Sequence, residues 1–267
     1  TVYCAAGTEL YRVVDEDVGG FDLSKLRRTV SAGESVNPVI SERWREVMGM
    51  PISEAYGQTE TLMTVLNYPV MPVKPGSMGL PLPGTVADVL DGDGRRLPIG
   101  EEGNLAILTP NPQIMLGYKD DPARTAESFI DGPDGRWFLT GDLARRDAEG
   151  YLFYTGRSDD VINSAGYRIG PLEVENALLE HESVLECAAV ASPDDERGQI
   201  VKACIVLREG VAGSPALIAE LQDHAKRVTA PYKYPRAVEF VEALPMTATG
   251  KIRRRALRDR EYATLPL

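Results

Sequence analysis

Cysteine is scarce here: Cys4, Cys187 and Cys204 are the three among 267 residues. They show no CxxC spacing, so neither a disulfide framework nor a cysteine-based zinc site is suggested. Cys187 and Cys204 lie in apolar runs and read as buried core thiols. No apolar run reaches the ~18 residues that a membrane span needs, and the start shows no signal-peptide pattern. Positive charge is also in deficit, with 29 Lys and Arg against 40 Asp and Glu and a net charge of −11. Polyphosphate binding depends on clustered cations that displace counterions, so no nucleic-acid partner is expected and the partner should be small. A reducing cytoplasm is the expected location.

What remains is the composition of a globular protein, with 43% hydrophobic and 26% charged residues. Residues 1–60 alternate short apolar runs with helical patterns: "TVYCA", then "LSKLRRTV" leading to "SAGE", then "NPVISERWREVMG", then "ISEAYGQTE". That order predicts α/β units with ligand-binding loops at strand ends. Residues from about 68 to 118 predict a β-rich subdomain, with strands "ADVLD" and "NLAIL" and a tight turn at "DGDG". From Trp137 a strand pair is expected, then a helix opened by Pro171 that ends near His181. Two apolar strands, a helix from Pro215 to Val228 and a last strand "AVEFVEAL" complete a small α+β domain. The fold class is therefore α/β, with residues 1–157 in a large domain and 158–267 in a small one.

Several stretches could carry chemistry. "TATGK" places Lys251 after a glycine, but Pro245 and Ile252 break the GxxxxGK[ST] pattern, so it is no Walker loop. Taken alone, Lys251 fits a point charge on a loop that a ligand approaches, or one more charge on a solvated tail. Arg253, Arg254, Arg255, Arg258 and Arg260 read as a solvated helix face. In "YGQTE", Thr59 could donate to a phosphate and Glu60 could hold Mg²⁺, or the stretch is a plain turn at a strand end. Gly33 in "SAGES" would let a flat base lie against bare backbone. Asp142 in "TGD" could accept two hydrogen bonds from a ribose diol. Arg157 in "GRSDD" stands beside two carboxylates, where a structural ion pair is the simple account.

Taken in order, "SAGESVNP", "YGQTET", "TGD", "TGRSDDVINSAGYRIGPLEVE" and "TATGK" resemble the adenylate-forming enzymes. "KPGSMGLPLPG", "SPDDERGQIVKA" and "APYKYPRAVEF" make the sequence most similar to the medium-chain acyl-CoA synthetases of that superfamily. The resemblance implies an ATP-dependent acid:CoA ligase of fatty-acid metabolism, using ATP, Mg²⁺ and CoA on a medium-chain or aromatic acid. It implies that Gly33, Glu34 and Ser35 line the adenine, with Tyr56 stacked on it and Gly57 and Gln58 beside it. Thr59 would contact the α-phosphate, Glu60 the Mg²⁺, Asp142 the ribose and Arg157 the ribose or phosphate. Asp159 would be the hinge about which the small domain rotates, and Lys251 the cation bridging the carboxylate and the α-phosphate. Ser164, Ala165, Gly166, Tyr167 and Arg168 would meet CoA, with Lys226 a further contact to its phosphate.

The sequence departs from that pattern at its start, where "AAG" stands at 5 to 7 in place of prolines and no Ser/Thr/Gly-rich triphosphate loop ending in lysine precedes it. The expectation is a C-terminal portion of a longer synthetase, inactive without its missing N-terminal half and possible as an oligomer. An amino-acid adenylation domain serving a carrier protein and a non-catalytic binding module are the alternatives.

Overall fold

Strand β1 (Val2–Ala5) leads through helix α1 (Gly7–Val13) to β2 (Arg28–Ala32), and α2 (Pro38–Met48) returns the chain to β3 (Ile52–Gln58). The three strands are parallel neighbours, with Val2 opposite Arg28 and Thr29 opposite Ile52. Parallel strands need long crossovers, which α1 and α2 supply. α2 starts where Asn37 Oδ1 accepts from Val39 N at 2.8 Å and Pro38 occupies the first turn. It ends at Gly49, whose φ of +68° a side chain would resist. Ile40 and Trp44 pack with Leu10, Val14 and Ile52, each large buried side chain stabilising by about 2 kcal/mol. Two antiparallel strands, β4 (Leu62–Leu66) and β5 (Leu80–Pro81), complete this sheet. The structure is a computed structural model, and it describes residues 1–247 and 251–263.

A second, antiparallel sheet contains β6 (Ala87–Leu90), β7 (Glu102–Leu108), β8 (Phe129–Gly132), β9 (Gly135–Arg146) and β10 (Leu152–Arg157), with α3 (Pro122–Glu127) before β8. Its order is β10-β9-β7-β6, with β8 also on β9. The turn at "DGDG" is tight: Asp91 Oδ1 accepts from Asp93 N at 2.8 Å and from Arg95 N at 2.9 Å. The sheet runs on to Arg157, well past the 68–118 stretch marked by proline and glycine. Its later strands bury Trp137, Phe138, Ala144 and Leu152 without that punctuation.

The third sheet has the order β12-β11-β14-β13, with β15 parallel to β14. It comprises β11 (Ile162–Ser164), β12 (Tyr167–Ile169), β13 (Val184–Asp194), β14 (Gly198–Leu207) and β15 (Ala237–Phe240). Alternation in β13 divides it: Cys187, Ala189 and Ala191 face α4 (Pro171–Leu179) and α5 (Pro215–Val228), while Ala188 and Val190 join Leu257 of α6 (Arg254–Ala263). The chain separates into two compact units, Thr1–Thr155 and Gly156–Leu267. Among the described residues no helix is long and apolar enough to cross a membrane.

The solvated arginine face expected after Lys251 is corrected. Arg253, Arg255 and Arg260 are exposed as expected, so the correction concerns Arg254 and Arg258. Arg254 instead forms two hydrogen bonds to the buried Glu175, at 2.8 and 2.5 Å. Arg258 bonds Asp159 O at 2.8 Å and Asp160 Oδ1 at 3.0 Å, and Arg260 bonds Glu239 at 2.7 Å. Periodicity places these arginines on a helix, but their carboxylates come from distant parts of the chain.

Candidate functional site

In the first unit the candidate residues gather at the C-terminal ends of β2 and β3, where open α/β sheets bind ligands. Ala32 pairs with Ala55, so the loop of Gly33, Glu34 and Ser35 leaves β2 beside Tyr56. Gly33 turns at φ +88°. The loop is held by Glu54, whose Oε2 accepts from Val36 N at 3.1 Å. Glu54 is buried, and burial pushes its carboxyl up to about 8.

Tyr56, Gly57 and Gln58 form the last part of β3, and Thr59 to Thr61 make the turn into β4. The Tyr56 hydroxyl donates to Asp142 Oδ2 at 2.6 Å, and Gln58 Nε2 donates to the same oxygen at 2.7 Å. Gln58 Nε2 also reaches Thr140 O at 2.9 Å. Asp142 is 5% exposed, and its own N donates to Thr140 Oγ1 at 3.2 Å. Burial, followed by the adjacent Asp142 charge, raises the Tyr56 hydroxyl pKa far above the ordinary phenol range, so Tyr56 acts as a donor. Gly57 has no room for a side chain: a Cβ there would lie 2.0 Å from Leu62 O.

Thr59 is exposed at the turn, whose shape is set by Gln58 N donating to Thr61 Oγ1 at 3.1 Å. Glu60 accepts from the Tyr118 hydroxyl at 2.9 Å, while its carbonyl accepts from Met115 N at 2.7 Å. No group of three or more His, Cys, Asp or Glu among the described residues could hold a metal ion. A single carboxylate still fits Mg²⁺, which commonly takes one or two protein carboxylates and completes its shell with substrate phosphates and water.

The second unit carries the other candidates. Arg157 Nε bonds Asp159 Oδ1 at 2.9 Å with both side chains exposed, and the next carboxylate, Asp160, is gripped by Arg258. Ala165 and Gly166, at φ +48° and +85°, form a two-residue turn between β11 and β12. Ser164 is buried at one end of this turn, and Arg168 is exposed beyond the other. Tyr167 stacks on Tyr232 at 4.4 Å between ring centres. Lys226 bonds Asp223 at 2.9 Å and lies over the Tyr234 ring.

Lys251 is exposed on a loop whose stem is an antiparallel bridge between Met246 and Ile252. Thr247 N donates to Lys251 O at 2.8 Å, and Lys251 N to Thr247 Oγ1 at 3.0 Å. Ala248, Thr249 and Gly250 lie outside the described residues.

Sequence reasoning missed Glu54, Tyr118 and Thr140, which support the candidates from behind. Glu54 has a faint signal, an acidic residue in an otherwise buried strand pattern. Thr140 opens the "TGD" stretch, where Asp142 alone was given a role, and Tyr118 has no signal.

Comparison with known proteins identifies the family of the chain. The AMP-binding enzyme family matches residues 1–119, and the AMP-binding enzyme C-terminal domain matches residues 173–251. Acyl-coenzyme A synthetase ACSM3, mitochondrial, of Mus musculus is 45% identical over 99% of this chain and 46% of its own length. The uncharacterized acyl--CoA ligase YtcI of Bacillus subtilis is 46% identical over 97% of this chain and 49% of its own. The solved structure of the anthranilate CoA ligase AuaEII in complex with anthranoyl-AMP superposes with a TM-score of 0.88 at 36% identity. It covers 99% of this chain and 51% of that one. The chain thus spans about half the length of the curated relatives it matches. With both family regions matched in order and relatives of one kind along nearly its whole length, the chain belongs to the AMP-binding, adenylate-forming enzymes and is similar to the acyl-CoA synthetases among them.

Proposed function

We propose that the chain serves an ATP-dependent acid:CoA ligase. A carboxylate attacks the α-phosphorus of ATP to give acyl-AMP and pyrophosphate; the CoA thiol then displaces AMP and leaves the thioester. The observation that carries this is the buried Asp142 carboxylate, fixed by Tyr56 and Gln58 beside the glycine loop. A carboxylate held this way is pre-set to accept a ribose diol while Gly33, Glu34 and Ser35 meet the base and Tyr56 presents its ring.

Thr59, exposed at its turn, is available to donate to the α-phosphate. Glu60 would hold Mg²⁺, which supplies charge neutralisation on the phosphates. Lys251 brings a cation to the charge that develops when carboxylate meets phosphate, a barrier that placed positive charge lowers. Arg157 adds a further cation near the ribose or phosphate. Asp159 is the hinge: rotation there would exchange Lys251 for the turn of Ser164, Ala165, Gly166, Tyr167 and Arg168, which meets CoA with help from Lys226. The acid is medium-chain or aromatic, and the anthranilate CoA ligase named above is in keeping with the aromatic option.

ATP–pyrophosphate exchange across a panel of medium-chain and aromatic acids, followed by thioester detection with free CoA or a pantetheine-bearing carrier, tests this. No exchange with any acid, together with no nucleotide binding by calorimetry, would sink it. The same exchange assay on residues 1–267 alone tests the expectation that they do not complete adenylation unaided. A reducing compartment suits the buried thiols Cys187 and Cys204, and imaging a tagged copy distinguishes the expected cytoplasm from the mitochondrion.

A further inference from the structure

Glu175 sits on α4 with its side chain 4% exposed, a costly place for a carboxylate. Its Oε1 accepts from Arg254 Nε at 2.8 Å and from Ala189 N at 2.9 Å, and its Oε2 accepts from Arg254 Nη2 at 2.5 Å. The guanidinium is thus held by a two-pronged contact, and the carboxylate beneath it is tied to β13.

Arg254 begins α6 three positions after Lys251. The intervening backbone leaves little slack. Arg253 N donates to Pro245 O at 2.8 Å, Ile252 bridges Met246, and Thr247 bonds Lys251 in both directions. Ile252 and Met246 also pack on the cluster of Val190, Cys204, Leu244 and Leu257. An unbroken run of contacts therefore leads from the core of this unit, through Glu175 and Arg254, to the lysine backbone.

We propose that Arg254, through Glu175, is the positioning residue that fixes where Lys251 presents its ammonium group. The proposal rests on the role given to Lys251 above. A buried ion pair is often no more stabilising than apolar side chains of similar volume, so stability alone is a poor reason for this one. Fixed placement is a better one, because the planar fork of arginine defines direction as well as distance. A reacting group displaced by ~1 Å can lose ~10²-fold in rate.

The test compares half-reactions in the intact protein. The double variant Glu175→Gln/Arg254→Met removes both charges together and keeps an amide oxygen to accept from Ala189 N, so neither a lone carboxylate nor an unpaired strand amide is left buried and the protein should melt close to the parent. Its ATP–pyrophosphate exchange should fall roughly 10 to 100-fold, while thioester formation from supplied acyl-AMP stays within about threefold. Arg254→Lys, which keeps the charge and loses the fork, should recover part of the exchange. Arg255→Ala, at a side chain 85% exposed, should change neither step. Hydrogen exchange at the Lys251 amide should quicken in the double variant while β13 and β14 stay protected.

Undiminished adenylation in the double variant, or an equal fall in both half-reactions, would overturn the positioning role. If Lys251→Ala itself left exchange intact, the role of Lys251 would fail and this proposal would fall with it. Loss in Lys251→Ala beside an unaffected double variant would remove the positioning role alone.

Discussion

The Tyr56 hydroxyl and the Asp142 carboxylate, 86 residues apart in the chain, meet at 2.6 Å. Neither group is oriented by its own strand alone: Gln58, two residues after Tyr56, donates to the same Asp142 oxygen, so β3 supplies both donors and β9 the acceptor. Tyr56→Phe removes one donor and leaves Gln58 to hold the carboxylate. A charge-assisted hydrogen bond is worth about 1.5 to 3 kcal/mol, so nucleotide affinity should fall at least tenfold. Titration calorimetry with ATP measures it, and unchanged affinity would dissociate Asp142 from the nucleotide.

Lys251→Ala should slow acyl-adenylate formation about 10² to 10³-fold, by analogy with other removed charge stabilisers. Thioester formation from supplied acyl-AMP should suffer far less, because the lysine is assigned to the first step alone. Single-turnover measurements of each step provide the comparison, and matching losses would contradict a rotating small domain.

Glu54 makes stability depend on pH. Burial raises its carboxyl from 4.5 in the unfolded chain to about 8 in the folded one. A raised folded value means that the folded state binds the proton more tightly. Its contribution is full below about 4.5 and is lost as pH rises through about 8. Thermal unfolding from pH 5 to 9 should show the parent losing ground to Glu54→Gln at the alkaline end. Parallel curves for the two proteins would refute it.

Gly57→Ala should be among the costliest single changes in the first unit. Its Cβ would lie 2.0 Å from Leu62 O and 2.7 Å from Met63 Cα, both backbone atoms that cannot swing aside. Overpacking against backbone should cost about 3 kcal/mol or more. The melting temperature of the first unit reports it, and a variant as stable as the parent would show that the β3–β4 turn can open.

Local pattern made much of the fold legible. Pro215 at the start of α5, Pro171 at the start of α4 and the two apolar runs of β13 and β14 stand where sequence signals put them. Helix α1 escaped because its seven residues are too few for periodicity to show. The candidate residues were legible only as an ordered set, since Asp142 and Thr59 taken singly read as ordinary turn residues, although Asp142 in fact lies buried within β9. Long-range electrostatics were not legible: nothing near Arg254 in the sequence announces Glu175, and nothing near Val36 announces Glu54. Charged side chains look solvated until the fold supplies a partner.

Because Leu257 of α6 closes over Ala188, Val190, Cys204 and Val206, the last helix serves as a roof as well as a bracket. A stop codon or protease cut ahead of Arg254 would leave those greasy strand faces wet, inviting clumping during expression. Tags are better fused beyond Ala263 than in place of the helix.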